Sequence, residues 1–278
     1  MRTLCEYGLV LAIDGRDRGE VLKLAGRVGP LVDGIKLGVP TLLSNSSTIV
    51  AGVKEFFDGP VIADLKVADI GFSTGKGAGG WSGTNRQIVE TAVSAGIDYV
   101  ICHTIMGVPS LDECVATAHS LGGKVLSLPY MTHVGAGLFY DHPIDMSHVS
   151  KSLADLGMSR LGDRIVELAG TKMAQQGWRS RSVTISDLAL LIGEELGVDG
   201  YIGPANKVEV LRDYRKLTSR LVVATGVGRQ GGSLSEVYST LGRSSGAIVG
   251  HAIYDSPDPV MACRGLLAER ERTLGGEA

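Results

Sequence analysis

Eight short aliphatic runs recur along this 278-residue chain, and no other feature of the sequence restricts its fold as much. They lie at residues 8–14, 33–38, 60–66, 99–104, 124–131, 200–204, 221–228 and 247–253. Each is nearly continuous in apolar residues instead of alternating, which is the pattern of strands covered on both faces in a parallel sheet. Helical patterns fill the intervals, over residues 17–28, 41–57, 84–95, 110–121, 185–196, 208–217, 233–241 and 257–267. Eight strands alternating with eight helices, at about 35 residues a unit, predict one (β/α)8 barrel domain across residues 1–278. A doubly wound open sheet is the competing reading. It would carry a glycine-rich fingerprint directly after the first strand, whereas that strand ends in Ala12-Ile13-Asp14.

Two stretches break the repeat. The first, at about 71–83 (GFSTGKGAGGWSG), follows the third run. The second, at about 142–181, belongs to the interval of about 68 residues between Met131 and Gly200, and an additional helix is expected over 161–175. Neither has the makeup of an interdomain linker. Residues 75–80 match G-x-G-x-x-G but do not lead from a strand into a helix, so they predict no dinucleotide site. They read as a surface loop, or as a lid over a neighbouring active site with Lys76 or Trp81 at the ligand.

The chain holds 39 glycines, about twice the usual share, and only 5% aromatics. It therefore needs many tight turns around an aliphatic core. A net charge of −3, from 27 basic and 30 acidic residues, implies no nucleic-acid partner, which would need a basic stripe. The apolar run at 8–13 is too short for a signal peptide, and no 18-residue apolar segment occurs. A cytoplasmic protein with no membrane contact is expected. Cys5, Cys102, Cys114 and Cys263 form neither a C-x-x-C pair nor a zinc spacing and read as reduced thiols, Cys102 in the core. The six histidines lack metal-ligand spacing, so no metal is expected. His103 and His133, ending the fourth and fifth runs, read as structural residues of the barrel mouth, and His142 and His148 as solvated. Tyr130 and Tyr140 line either the site or a subunit interface.

Barrels of this kind place their chemistry at the C-terminal ends of the strands. Those ends carry Asp14, Lys36, Asp64 with Lys66, His103, Thr132 with His133, Pro204, the glycine-rich turn 226–232 and His251. Charges ending apolar strands are costly unless paired or used. Asp64 and Lys66, two apart, share one face of a strand, and Asp69 follows three residues later. A cation set between anions, with Lys36 and Asp14 on neighbouring strands, can hold Lys66 protonated and set a carboxylate against a substrate carboxylate. At about 4 Å two like charges repel by about 4 kcal/mol at an effective dielectric of 20. Loss of carbon dioxide relieves that repulsion, and the lysine can protonate the carbanion left behind. A plain structural ion-pair network is the other reading of the same residues.

These residues resemble the orotidine 5'-phosphate decarboxylase family. The matching segments are LAID (11–14), IKLG (35–38), IADLKVADI (62–70), TN (84–85), MTH (131–133), YIGP (201–204), GVGRQGG (226–232) and IVGHAIY (248–254), spread from Leu9 to about Leu267. The D-x-K-x-x-D core is shared with sugar-phosphate enzymes of the wider suprafamily, which typically carry an acidic residue where this chain has Lys36. The resemblance implies a barrel decarboxylase converting orotidine monophosphate to uridine monophosphate in pyrimidine biosynthesis, without metal or organic cofactor. It implies Lys66 as proton donor to C6, Asp64 facing the substrate carboxylate, Lys36 holding the network and Asp14 binding the ribose hydroxyls. It also implies a homodimer in which Asp69, Ile70 and Thr84 reach the adjacent subunit's site. Thr132 stands where the family usually has a serine reading the pyrimidine, and Gln230 bridges base and phosphate. Pro204 lines the site, and backbone of Gly228 and Gly250 meets the phosphate. The family's phosphate-binding arginine is His251 here. Either Arg229 takes over the phosphate, or the substrate is an altered, orotidine-like one. A sugar-phosphate lyase of the same suprafamily and a non-catalytic binding barrel are the remaining alternatives.

Overall fold

The computed structural model describes residue 4 and residues 6–46, 48–72, 82–175 and 183–275. The loop-or-lid reading of residues 75–80, with Lys76 and Trp81, falls outside the described residues, as does Cys5. Eight strands close into an all-parallel barrel in sequence order: β1 (Gly8–Ile13), β2 (Gly34–Gly38), β3 (Val61–Val67), β4 (Tyr99–His103), β5 (Lys124–Leu128), β6 (Gly200–Pro204), β7 (Leu221–Thr225) and β8 (Ser245–Val249). The open-sheet alternative is thereby excluded.

Strand alternation explains both the core and the site. One parity faces the helices and fuses with them into a large apolar layer. The other faces the barrel interior, where Val10, Ala12, Ile62, Ile101, Leu128 and Ile202 are among the packed residues. Followed to the mouth, the inward parity delivers Asp14 after Ala12, and Asp64 and Lys66 after Ile62. Lys36 is inward in β2, since its register neighbours are Ala12 and Ile62. The polar residues thus begin where the apolar filling stops.

The helices follow as α1 (Arg18–Val28), α2 (Val39–Asn45), α3 (Thr48–Phe56), α4 (Thr84–Ser94), α5 (Val108–Ser120), α6 (Gly137–Tyr140), α7 (Met146–Asp155), α8 (Ser159–Gln175), α9 (Ile185–Leu196), α10 (Val208–Leu217), α11 (Leu234–Leu241), α12 (His251–Tyr254) and α13 (Pro259–Gly275). The helix expected over 41–57 is in fact two, α2 and α3. Ser46, at φ 58°, breaks the chain between them, and the apolar stripe Ile49–Val53 belongs to α3 alone. Instead, α2 braces the first loop: Thr41 Oγ1 donates to Ile13 O at 3.0 Å and Asn45 Nδ2 to Arg16 O at 2.9 Å. The last helix runs to Gly275, eight residues beyond the expected end at 267, and the short α12 precedes it.

The interval between β5 and β6 holds α6, α7 and α8 before the crossover helix α9. The expected helix over 161–175 is α8, starting two residues earlier at Ser159. Helix α7 lies ahead of it, capped by Asp145, whose carboxylate accepts from Ser147 N at 2.9 Å, and buries Val149 and Leu153.

Candidate active site

Three strands carry the charged residues. Lys36 Nζ lies 2.7 Å from Asp64 Oδ2 and 3.6 Å from Asp14 Oδ1, while Lys66 Nζ lies 2.7 Å from Asp64 Oδ1. Asp64 therefore bridges two ammonium groups with its two oxygens. Side-chain exposure grades along the array: 5% for Lys36, 13% for Asp64 and 41% for Lys66. The buried end anchors the network and the open end presents an ammonium group. Burial alone would raise the Asp64 carboxyl, but Lys36 and Lys66 outweigh it and hold the group below the ordinary carboxylate value.

Backbone geometry aims Lys66. The β3 register against β4 slips between Ala63 and Val67, and Lys66 adopts φ 47°, one of three non-glycine residues with positive φ among the described residues. A lysine in that region is strained, and such strain collects where a side chain must be aimed. The next strand supplies space. A Cβ at Gly38 would overlap Asp14 Oδ1, so only glycine lets the Asp14 carboxylate lie against β2.

On the adjoining arc, β7 and β8 end in a cavity of about 460 Å3. Asp14, Lys36, Thr225, Gly226, Arg229, Gln230, Gly250 and His251 all line it. The turn after β7 is drawn tight by Gly231 N donating to Gly228 O (2.8 Å) and Gly232 N to Gly226 O (3.1 Å), with Gly226, Gly228 and Gly231 all at positive φ. The Gly228 N–H is spent inside this turn on Gly232 O at 2.9 Å, so Gly228 contributes shape and not a free donor. Among the described residues Arg229 makes no ion pair, and the His251 imidazole has no hydrogen-bond partner. The His251 ring packs on Tyr254 at 4.9 Å, and the Arg16 guanidinium lies over the Tyr254 ring at 4.7 Å.

Other expected site residues do not themselves line this cavity. Pro204 ends β6 in register with Thr225. Thr132 is half-buried on the segment after β5, its carbonyl accepting from Asn206 Nδ2 at 3.3 Å. Asp69 and Ile70 stand exposed on the rim after β3, and among the described residues Asp69 makes no ion pair with the lysine array. Its backbone is clasped twice by Asn85, which accepts from Asp69 N at 2.9 Å and donates to Asp69 O at 2.7 Å. Thr84 begins α4 beside this clasp.

His103 is buried, as a structural residue of the mouth should be. Its Nδ1 accepts from Ile105 N at 3.1 Å and its Nε2 pairs with Tyr140 Oη at 2.8 Å. Burial, with Lys66 nearby, lowers its pKa, so the ring is neutral and carries its proton on Nε2. Tyr130 and Tyr140 are buried against each other at 5.1 Å, leaving neither free to line an interface. His133, His142 and His148 are exposed, and Cys102 is fully buried. Among the described residues no three His, Cys, Asp or Glu side chains are grouped to hold a metal ion. Gly38, Thr41, Asn45, Tyr254 and Asn206 were not legible as site residues. Their signal is a contact between distant segments, and no local pattern records it.

Fold and site together define a (β/α)8 barrel with a lysine–carboxylate array at the ends of β1–β3 and, beside it at the ends of β7 and β8, a glycine turn that brings Arg229 and Gln230 into the same cavity. Comparison with known proteins narrows this class. The family model described as "Orotidine 5'-phosphate decarboxylase / HUMPS family" matches residues 8–266, and the chain belongs to that family. Orotidine 5'-phosphate decarboxylase of Methanosarcina barkeri is 31% identical over 265 residues, covering 95% of this chain and 94% of the relative. The enzyme of the same name from Methanocaldococcus jannaschii is 28% identical, covering 90% and 92%. A crystal structure of orotidine 5'-monophosphate decarboxylase from that organism, complexed with the inhibitor BMP, has a TM-score of 0.70 at 26% identity, covering 95% of this chain and 98% of that one. The orotidine 5'-phosphate decarboxylase structure from Pyrococcus horikoshii OT3 gives 0.66 at 26% identity, with 95% and 99% covered.

Proposed function

We propose that this protein is a carboxy-lyase that decarboxylates orotidine 5'-phosphate to uridine 5'-phosphate. The observation that carries the reading is the array Lys36–Asp64–Lys66, with Asp64 ionised between two lysines and Lys66 at the open end. A substrate carboxylate brought beside Asp64 meets like charge in a partly buried setting, and breaking the bond from C6 to the carboxyl carbon removes it as neutral carbon dioxide. The electron pair remains on C6, and the Lys66 ammonium supplies the proton there. Lys36 keeps Asp64 ionised throughout, and Asp14, which lines the same cavity as Arg229, binds the ribose hydroxyls.

The cavity supports a phosphorylated substrate. Arg229 carries a permanent charge with no carboxylate committed to it among the described residues, and it shares the cavity with Gln230, Gly250 and His251. This favours Arg229 taking over the phosphate above the altered-substrate alternative. Thr132 reads the pyrimidine, Gln230 spans base and phosphate, and Pro204 and the turn around Gly228 shape the wall.

Asp69, Ile70 and Thr84 serve the site of an adjoining subunit in a homodimer. Among the described residues Asp69 makes no ion pair with this chain's own lysines, which supports that reading, as does an apolar rim in which Ile70 is 58% and Ile105 55% exposed. Three buried free thiols, Cys102, Cys114 and Cys263, support a cytoplasmic setting, and no helix among the described residues is long and apolar enough to cross a membrane.

The test is the loss of orotidine monophosphate absorbance on adding protein. Lys66→Ala is expected to cut kcat by about a thousandfold or more, through loss of the general acid. A folded wild type without turnover overturns the assignment.

A further inference from the structure

Glu113 is a carboxylate that the chemistry above leaves unused. It sits on α5 and is completely buried. Its Oε1 accepts from Gly83 N at 3.0 Å, while its Oε2 is buried with no hydrogen-bond partner among the described residues. Glycines stand on both sides of it. A Cβ at Gly71 would lie 2.7 Å from Oε2, and one at Gly83 would overlap the same oxygen. The backbone therefore closes around this carboxylate from two directions.

The contacts next to Glu113 hold the same two stretches. Ser110 Oγ donates to Gly71 O at 3.4 Å, and Asn85 N donates to Ile70 O at 3.1 Å. Asn85 clasps both backbone groups of Asp69. Residues 69–71 and 83–85 are thus tied together by one buried polar knot, centred on side chains of α4 and α5. The exposed face of that knot is Asp69 with Ile70.

We propose that Glu113 is a positioning residue for the adjoining subunit's active site. It fixes Gly83, and through the knot the backbone of Asp69, Ile70 and Thr84, in the shape that the neighbouring site requires. The inference rests on the shared-site dimer proposed above. A buried carboxyl group with one oxygen unpaired among the described residues is costly. The arrangement stabilises a particular backbone shape at the expense of the subunit that holds it, which suits a residue whose effect is felt across an interface.

Complementation between subunits separates this role from a general structural one. Glu113→Ala leaves the Gly83 N–H unpaired in a buried site, and kcat/KM of the homodimer is expected to fall about tenfold. Hybrid dimers of an E113A subunit with a K66A subunit are then isolated through two affinity tags. Each hybrid has one site with an intact Lys66 faced by an intact Glu113 clasp, so about half of wild-type activity per dimer returns. Glu113→Gln keeps the acceptor for Gly83 and is expected to stay within about threefold of wild type.

An E113A homodimer of full activity overturns the proposal. So does a hybrid that stays at the E113A level while an Asp69→Ala/Lys66→Ala hybrid recovers, because Glu113 then acts on its own subunit. A loss in E113Q as large as in E113A also overturns it, by showing that the charge matters and not the clasp. Failure of the Asp69→Ala hybrid overturns the shared-site reading together with this inference. Absence of wild-type turnover is a separate result that strikes the decarboxylase assignment.

Discussion

Asp64 is the residue on which the site depends. It is the counter-ion of Lys36, which is almost fully buried, and of Lys66, which is not. Removing one partner of a buried pair leaves the other charge uncompensated. Asp64→Asn is therefore expected to lose about 3 kcal/mol of stability at pH 6, measured by urea unfolding. The sign of the pH dependence follows from the depressed carboxyl: its folded value lies below the ordinary 3.8, so its stabilisation is present above 3.8 and fades as pH falls through the folded value. The gap between wild type and D64N should narrow below pH 3.8. A gap that held constant through that range would show that the lysines do not keep the carboxyl ionised.

Among the elements, the turn between β7 and α11 concentrates the groups proposed to hold the phosphate. Its glycines let the chain double back tightly, so that Arg229 and Gln230 project into the cavity shared with β1 and β8. Arg229→Ala is expected to raise KM for orotidine monophosphate tenfold or more, a loss of about 1.4 kcal/mol or more of binding. KM for a substrate lacking the phosphate should hardly move. Unchanged KM for the nucleotide would remove Arg229 from the phosphate site. The strand ends that build this arc were legible because near-continuous aliphatic runs leave little but a parallel barrel. Helices were less so. The division between α2 and α3 depends on one serine at positive φ, and α7 buries only Val149 and Leu153 in its apolar stripe, too weak a pattern to read beforehand.

At the scale of the whole molecule, the barrel divides its mouth into a charged arc on β1–β3, a polar turn on β7–β8 and an apolar rim after β3–β5. The first two were readable as residues ending strands. The third was not, because exposure of Ile70, Ile105 and Leu138 is a property of the folded surface. If that rim is the dimer contact, Ile105→Asp should yield monomers in sedimentation velocity and lower turnover at least about tenfold, since a charge in an interface core is costly. An I105D protein that remained dimeric would place the contact elsewhere. The left-handed backbone at Lys66 bears on how such a molecule responds to selection. Alanine ordinarily exceeds glycine in stability by about 0.5–1 kcal/mol, but holding an L side chain at φ 47° costs about 1–2 kcal/mol. Lys66→Gly should therefore melt at or above Lys66→Ala, inverting the usual order. Among variants that have already given up the lysine proposed as proton donor, a screen for heat resistance alone would keep glycine at position 66 ahead of alanine.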